Sequence, residues 1–386
     1  MLATGIVAEY NPFHNGHALH INKTKELLGQ PVIAVMSGSF VQRGGPAFLD
    51  KWTRAQLAVV GGANLVIELP TCFSLRSAEH FARGSVELLA ATGLVNNISC
   101  GTEHPETNFT DLAANYYKEE TQSLIKKYLS EGCSYAVANE KAIGHSLASP
   151  NDILAFEYAK ACLKENIALH AIQREGAGYN DTDIQALASA SAIRKAWRNG
   201  NLDEIKECMP AFVIRTLRTT IAGCNEHRLW SLIKYSLVTK TPEEIAAVTE
   251  CSEGLENLLK SAEACSTLDA ASKLCTSKRY STSRIRRLFM QLLFNKPIAE
   301  LRQEHPAYIR ILAFDNTVGR ELLKEMKKTA TLPIINKLGK NPAHGQSKAF
   351  KESLELDILA TNLRELVSNT DTNLNKDFTT SPYIRY

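Results

Sequence analysis

The 386-residue sequence has no apolar run long enough to cross a membrane, since a spanning helix needs roughly 20 consecutive apolar residues. Its first residues also lack the basic region, apolar core and small-residue cleavage site of a secretory signal. We therefore expect a cytoplasmic protein with no membrane partner, and no dedicated protein partner is evident. The 44% of apolar residues can form a substantial core.

The spacings typical of zinc sites and disulfide frameworks are missing as well. The nine cysteines form no Cys-x-x-Cys pair, their number is odd, and no His-x-x-x-His accompanies them. We expect reduced, mostly buried thiols and no dedicated metal site.

A large excess of one charge is also absent, because 44 Lys and Arg residues stand against 41 Asp and Glu residues. The net charge therefore neither indicates nor excludes a nucleic-acid ligand. The distribution is uneven, however: residues 277–299 contain six basic residues and no acidic one. A polyanion could bind this stretch if it lies on one exposed face.

The first half of the chain alternates short apolar runs with helical patterns. Strands are predicted at residues 5–8, 31–36, 64–69, 97–101 and 167–173. This alternation predicts an α/β domain over residues 1–200, with a Rossmann-like parallel sheet between helices. Because ligands of such sheets bind beyond the carboxyl ends of the strands, we expect the site in the loops after the first, fourth and fifth strands.

Helical patterns dominate beyond residue 200, where strand signals fade. We predict a second, mainly α-helical domain over residues 201–386, with a boundary near Asn199 and Gly200. The polar tail from residue 369 to residue 386 is expected to be irregular.

The first strand leads into His14-Asn15-Gly16-His17, which opens a helix. Unpaired N–H groups and a partial positive charge make a helix N-terminus suitable for phosphate, and Gly16 allows close approach of a ligand. The imidazole N–H groups of His14 and His17 could stabilise a pentacovalent α-phosphate, as the catalytic residues of adenylyl transfer. A chance spacing remains open, and so does a metal site with His20, although steps of three residues converge poorly on a helix.

A second element, residues 188–194, places hydroxyl groups at a predicted helix start and an arginine one turn later. Ser191 could cap the helix and bind a phosphate oxygen, with Arg194 facing the same anion. An ordinary capped helix with a surface arginine is the alternative. Together with the first motif, the element favours adenylyl transfer.

The two elements resemble the HxGH-type nucleotidyltransferase superfamily, whose second signature is a Ser/Thr-rich stretch ending in Ile-Arg; Ala190 stands where a hydroxyl is usual. Further matching strings run along the chain: GIVAEYNPFHNGH (5–17), SGSFVQRGGPAFLDKWTRA (37–55), SPNDILAFEY (149–158), REGAGYND (174–181), SASAIRK (189–195) and KRYSTSRIRRL (278–288). In combination and order they resemble the bacterial tRNA(Met) cytidine acetate ligase family.

The resemblance implies an enzyme that converts acetate and ATP into acetyl-adenylate and pyrophosphate, then acetylates N4 of the wobble cytidine of elongator tRNA(Met). ATP is then a substrate, and Mg²⁺ is expected with it. Besides the two histidines, the implied ATP contacts are Val7, Ala8, Glu9, Tyr10, Asn11, Pro12, Phe13, Asn15, Gly16, Ala18, Leu19, His20, Gly101, Asn151 and Arg174. Two alternatives remain. One is a nucleotidyltransferase that makes a small-molecule cofactor, and the other is a non-catalytic RNA-binding protein.

Position along the chain gives some of these residues independent support. Gly101 ends the fourth predicted strand and Arg174 follows the fifth, whereas Asn151 could simply cap a helix over residues 153–163. Tyr179 could stack on a base or fill the domain edge.

The loop after the second strand contains Ser39, Gln42 and Arg43. It is expected to handle acetate or the incoming cytidine, mainly because of the resemblance. A solvated surface loop is the alternative.

The basic segment is predicted to form a helix over residues 281–295 and to bind tRNA. Its cationic side chains are Lys278, Arg279, Arg284, Arg286 and Arg287, with Tyr280 beside them and no local acidic partner. Contacts to the phosphate backbone would make binding depend strongly on salt. A solvated helix face is the alternative.

Overall fold

The computed structural model describes residues 1–133, 135–147, 149–174, 188–220, 222–252, 254–369 and 373–386. Its strands are β1 (Ala3–Ala8), β2 (Val32–Ser37), β3 (Phe40–Val41), β4 (Gly45–Pro46), β5 (Leu65–Leu69), β6 (Val95–Thr102), β7 (Ala168–Gln173), β8 (Ile309–Asp315), β9 (Ile334–Ile335) and β10 (Tyr383–Arg385).

Helices surround the sheet and make up most of the chain beyond residue 200. In the described residues they are α1 (Asn15–Leu28), α2 (Lys51–Val60), α3 (Thr71–Ser74), α4 (Ala78–Ala90), α5 (Phe109–Tyr116), α6 (Glu119–Ser130), α7 (Tyr135–Ile143), α8 (Pro150–Glu165), α9 (Ala190–Arg198), α10 (Leu202–Ile205), α11 (Ala211–Thr219), α12 (Glu226–Thr239), α13 (Pro242–Val248), α14 (Leu255–Ser261), α15 (Leu268–Cys275), α16 (Thr282–Phe294), α17 (Ile298–Leu301), α18 (Val318–Thr329), α19 (Lys348–Leu366) and α20 (Lys376–Thr379), with 3-10 segments at Lys206–Cys208 and Ala262–Ala264. None of these helices is long and apolar enough to cross a membrane.

The main sheet has the strand order β10-β8-β5-β2-β1-β6-β7, with β9 beside β8. The five predicted strands are all present, and each pairs in parallel with its neighbours among them. The chain runs from β1 through β2 to β5 and then crosses to β6 on the other side of β1, which creates a topological switch point. The predicted α/β class and the mainly helical carboxyl-terminal region are confirmed.

Both faces of the sheet are buried, which explains its uninterrupted apolar strands. Along β2, Ile33 and Val35 pack into one core cluster, while Val32, Ala34 and Met36 pack into another. Successive side chains of a strand point to opposite faces, so a strand covered on both sides is apolar throughout.

Two strands from the second half of the chain extend this sheet. β8 pairs antiparallel with β5, and β10 pairs in parallel with β8, so the sheet is mixed rather than wholly parallel. The expectation of an irregular tail is wrong, because Asp377 of α20 is buried between Lys51 and Arg310, at 2.8 and 2.6 Å, and β10 follows. The boundary near residue 200 stays a prediction.

The basic segment forms helix α16, as predicted. Ser281 caps it by accepting the backbone N–H of Arg284, and Asn295 ends it in a left-handed conformation. Its apolar face, which includes Ile285, Leu288 and Phe289, is buried in the core. All nine cysteines are free thiols, none of them exposed, as expected.

Candidate active site

The two motif histidines form the cap that starts helix α1. Nδ1 of His14 accepts the backbone N–H of Gly16 at 3.1 Å, and Nδ1 of His17 accepts the backbone N–H of His14 at 3.2 Å. The two rings are stacked, with centroids 3.7 Å apart. A nitrogen that accepts a hydrogen bond carries no proton, so each neutral ring carries its proton on Nε2.

Burial keeps both rings neutral. Desolvation, reinforced by Arg174 and Arg194, lowers the pKa of His14 to about 3. Desolvation and the neighbouring His14 hold the pKa of His17 well below its ordinary value. At neutral pH each ring therefore has one Nε2–H donor and no charge.

A cavity opens beside these rings, at the carboxyl ends of β1, β6 and β7. It brings together most of the predicted site: Val7, Ala8, Glu9, Tyr10, Asn11, His14, Gly16, His17, Leu19, His20, Gln42, Arg43, Gly101, Asn151, Arg174, Ser191 and Arg194. The lining also includes Ala188, Ser189 and Ala190 of the second motif, and the lining residues that sequence reasoning missed are Lys23, Phe81, Cys100, Leu154, Tyr158, Ile172 and Gln173. The site lies at the switch point, where parallel-sheet proteins bind ligands.

Five of the residues predicted for ATP or for the loop after the second strand lie outside the cavity lining and shape its surroundings. Phe13 is buried and closely approaches Gly61. Asn15 Nδ2 donates to the carbonyl of Glu207 at 2.8 Å. Ser39 Oγ is buried at 3.2 Å from Thr361 Oγ1. The remaining two are Pro12, which follows a cis peptide bond, and Ala18, which packs against the core.

The three histidines of the metal alternative do not converge. His20 Nε2 lies 2.9 Å from Ser99 Oγ, while His14 and His17 use Nδ1 in the helix cap. Within the described residues, no three His, Cys, Asp or Glu side chains are grouped to hold a metal ion. The Nε2 atoms of His14 and His17 take no part in the helix cap.

Arg194 joins the second motif to the first. Its Nη1 donates to the carbonyl of Asn11 at 2.6 Å, and its Nη2 donates to Ser191 Oγ at 3.3 Å. Burial lowers its pKa to about 10, so it stays charged at neutral pH. The expectation that Ser191 caps the helix is wrong, because α9 begins at Ala190 and Ser189 caps it. Ser191 lies instead in the first turn, bonded to Arg194.

Glu103 holds two of the predicted ATP contacts and was missed by sequence reasoning. Its Oε1 accepts Asn151 Nδ2 at 2.6 Å and lies 3.4 Å from Arg174 Nε. Asn151 is not a cap, because α8 begins at Pro150 and Ser149 caps it. Its position in the sequence could have indicated a role in the site, since Glu103 directly follows β6, the fourth of the predicted strands, at the carboxyl end. Residues 175–187, including Tyr179, lie outside the described residues.

The buried side chain of Arg54 fixes the ends of β1 and β2. It donates to the carbonyls of Glu9 at 2.8 Å and Ser37 at 2.9 Å, and also to that of Gly38. Burial lowers its pKa to about 10, which leaves it charged. The carboxylate of Glu9 in turn accepts the backbone N–H of Gln42 at 2.8 Å. These bonds link the first strand to the loop between β3 and β4, which contains Gln42 and Arg43.

The basic side chains of α16 and its approach fall into two groups. Lys278 and Arg279 are exposed, and the guanidinium of Arg284 lies over the ring of Tyr280 at 5.0 Å. Arg286 and Arg287 instead donate to the backbone carbonyls of Gly44 and Gln42, in the loop between β3 and β4. Arg286 also has an acidic partner outside the segment, Asp269 on α15, at 2.8 Å.

The site is built from a strand, a turn and a helix that starts with two neutral histidines, and these histidines face the arginine of a second helix. This arrangement defines a nucleotidyltransferase type of site. The family model described as HIGH Nucleotidyl Transferase matches residues 1–378. The tRNA(Met) cytidine acetate ligase of Clostridium perfringens strain ATCC 13124 is 39% identical, over 100% of both chains. The tRNA(Met) cytidine acetate ligase of Leuconostoc mesenteroides is 39% identical, over 96% of each chain.

Solved structures agree with these relatives. The apo crystal structure of Thermotoga maritima TmcAL has a TM-score of 0.92 at 32% identity, covering 100% of this chain and 99% of that chain. The same protein bound with alpha-thio ATP has a TM-score of 0.90 at 31% identity, with the same coverage. The chain belongs to the HIGH nucleotidyl transferases and, among them, to the tRNA(Met) cytidine acetate ligase family.

Proposed function

We propose that this protein is an ATP-dependent ligase that activates acetate as acetyl-adenylate and acetylates N4 of the wobble cytidine of elongator tRNA(Met), releasing pyrophosphate and AMP. The observation that carries the proposal is the neutral His14–His17 pair beside Arg194, in a chain 39% identical throughout to a tRNA(Met) cytidine acetate ligase. Alpha-thio ATP bound to Thermotoga maritima TmcAL supports ATP as the nucleotide.

In the first step a carboxylate oxygen of acetate attacks the α-phosphorus of ATP. The bond between the α-phosphorus and the bridging oxygen breaks, and pyrophosphate leaves with that oxygen. Negative charge grows on the α-phosphate, where the Nε2–H groups of His14 and His17 would donate. Ser191 and Arg194 would hold the outgoing phosphates. Positioning and charge stabilisation suffice, so no protein nucleophile is required.

Mg²⁺ fits this site as a partner of ATP rather than as a resident ion. Glu9 is the one acidic side chain among the described residues that line the cavity, and Mg²⁺ commonly binds through phosphates, water and one or two carboxylates. We propose that the ion arrives on the phosphates and neutralises part of their charge.

In the second step the N4 amine of the cytidine attacks the acetyl carbonyl, and AMP leaves while the amine loses a proton. Gln42 and Arg43 would contact acetate or the cytidine; their position in the cavity lining supports this role. Lys278, Arg279 and Arg284 of the basic segment would bind the tRNA backbone. A tRNA substrate supports a cytoplasmic location.

The test is incubation with Mg-ATP, labelled acetate and total tRNA, followed by digestion of the RNA to nucleosides. We expect labelled N4-acetylcytidine, and acetate-dependent exchange between ATP and pyrophosphate without tRNA. An enzyme that makes a small-molecule cofactor would leave the RNA unlabelled. A non-catalytic RNA-binding protein would turn over no ATP. Either result would refute the proposed function.

A further inference from the structure

The substrate loop between β3 and β4 is held from both sides. On one side, the Glu9 carboxylate accepts the backbone N–H of Gln42 at 2.8 Å. On the other, Arg287 Nη1 donates to the carbonyl of Gln42 at 3.1 Å, and Arg286 Nε donates to that of Gly44 at 3.4 Å. One edge of the loop therefore meets the cavity and the other meets helix α16.

The contact between loop and helix is close. Gly44 has a φ of +79°, and a Cβ added there would lie 2.5 Å from the backbone nitrogen of Arg287. Only glycine combines this conformation with such an approach at low cost. Gly44 thus lets the loop settle directly on α16, within reach of both guanidinium groups.

The two arginines are suited to a fixed role. Burial lowers the pKa of Arg287 to about 10, so it remains a charged donor at neutral pH. Asp269 holds the guanidinium of Arg286 at 2.8 Å. Hydrogen bonds from a charged donor are stronger than those between neutral groups, and a phosphate contact would compete with those that Arg287 and Arg286 already make.

We propose that Arg287 and Arg286 are positioning residues for acetate activation. They hold the substrate loop so that Gln42 and Arg43 keep their places in the cavity, and they act before tRNA binds. This inference rests on the proposed function. The proposed nucleotide contacts lie mainly on the β1–α1 turn and on α9, so loss of the loop anchor affects acetate more than ATP.

The test is acetate-dependent exchange between ATP and pyrophosphate without tRNA. For Arg287→Ala we expect kcat/KM for acetate to fall about tenfold or more, as for removal of a hydrogen bond from a charged donor, with KM for ATP within about twofold of wild type. Arg287→Lys keeps one donor and should recover part of the activity. Arg320→Ala is the matched control, because it removes an exposed guanidinium from α18.

Asp269→Asn provides a second variant that should fold, since Asp269 is 69% exposed. It weakens the hold on Arg286 without altering the loop, so a smaller change in the same direction is expected. Wild-type exchange in both Arg287→Ala and Asp269→Asn, with weaker tRNA binding, would overturn the proposal and assign the arginines to tRNA.

Amide hydrogen exchange of residues 40–46 tests the anchor without any reaction. Exchange should be faster in Arg287→Ala than in wild type or Arg320→Ala, because the loop loses a bond that limits its opening. Equal protection in all three would overturn the inference. If the wild-type enzyme shows no acetate-dependent exchange, the proposed function fails, and amide exchange still decides whether the anchor exists.

Discussion

The rings of His14 and His17 stack with centroids 3.7 Å apart, and each accepts a backbone N–H of the same helix start through Nδ1. One nitrogen of each ring is therefore structural, and the other is left for the proposed contact with phosphate. Because the cap fixes the tautomer and the orientation together, the Nε2–H donors need little reorganisation when a transition state forms.

Replacing His14 by Asn should separate these two roles. The Asn side chain is a good helix cap and can accept the N–H of Gly16, so we expect the free energy of unfolding to change by less than about 1 kcal/mol. Acetyl-adenylate formation should fall by about 10²- to 10³-fold, as for loss of one preorganised donor. Single-turnover kinetics and urea unfolding measure the two effects.

His305→Asn is the control for this substitution, because His305 is 74% exposed and bonds to Glu87 away from the cavity. Binding of tRNA should be unchanged in both variants. A His14→Asn enzyme that forms acetyl-adenylate at the wild-type rate would remove His14 from the catalytic step.

Buried neutral histidines should also make stability depend on pH. The pKa of His14 is lowered to about 3 by burial, whereas the unfolded chain has its ordinary value of about 6.5. As pH falls below about 6.5, the unfolded state therefore binds a proton that the folded state does not, and stability is lost. Above that pH the titration of His14 does not change the free energy of unfolding.

The difference between wild type and His14→Asn measures this effect, because other titrations largely cancel. Between pH 7.5 and pH 5, wild type should lose roughly 2 kcal/mol more unfolding free energy than the variant, as one proton taken up near pH 6.5 requires. Urea unfolding at several pH values gives the curves. Parallel curves would mean that the pKa of His14 in the folded protein is close to its value in the unfolded chain.

The parts of the fold that could be predicted are those with local causes. The helix start at His14 and the capped helix α16 depend on neighbouring residues, and the central strands are continuous apolar runs. Strand β8 was missed because Arg310 interrupts its apolar run, and a charge is usually read as exposed. Its partners, Glu68 and Asp377, are distant in sequence.

The same limitation applies to the site. The histidine motif and Arg194 were recognised because their chemistry and local spacing are visible in the sequence. Arg54 and Glu103 act on carbonyls or side chains contributed by other elements, so only the folded chain shows their roles. Arg287 was predicted to bind tRNA because it belongs to a basic run, but in the folded chain it lies against the loop between β3 and β4.

Removal of Asp377 should show how much the tail contributes. Its carboxylate is fully buried between Lys51 and Arg310. In Asp377→Ala the two cations lose a partner inside the protein, so we expect the free energy of unfolding to fall by about 3–5 kcal/mol. Asp203→Ala removes an ion pair of a 90% exposed carboxylate and should cost less than about 1 kcal/mol. Similar small losses in both would mean that the tail contributes little stability.

The basic side chains that precede the anchor residues in the basic segment should carry the salt dependence of tRNA binding. Substitution of Lys278, Arg279 and Arg284 by Ala leaves the anchor residues Arg286 and Arg287 in place. If the three side chains bind phosphates, the slope of log Kd against log salt should decrease by about 0.7–0.9 for each phosphate that is no longer neutralised. Acetate-dependent exchange without tRNA should be unchanged, because none of the three lines the cavity.

A variant with the same reduction in charge provides the control for that slope. Lys324, Lys327 and Lys328 are exposed on α18, and their replacement by Ala removes three positive charges from another surface. Since a general charge effect would act on both triple variants alike, only a larger change of slope in the first identifies local binding of phosphate. Equal slopes would place the tRNA backbone on a different part of the molecule.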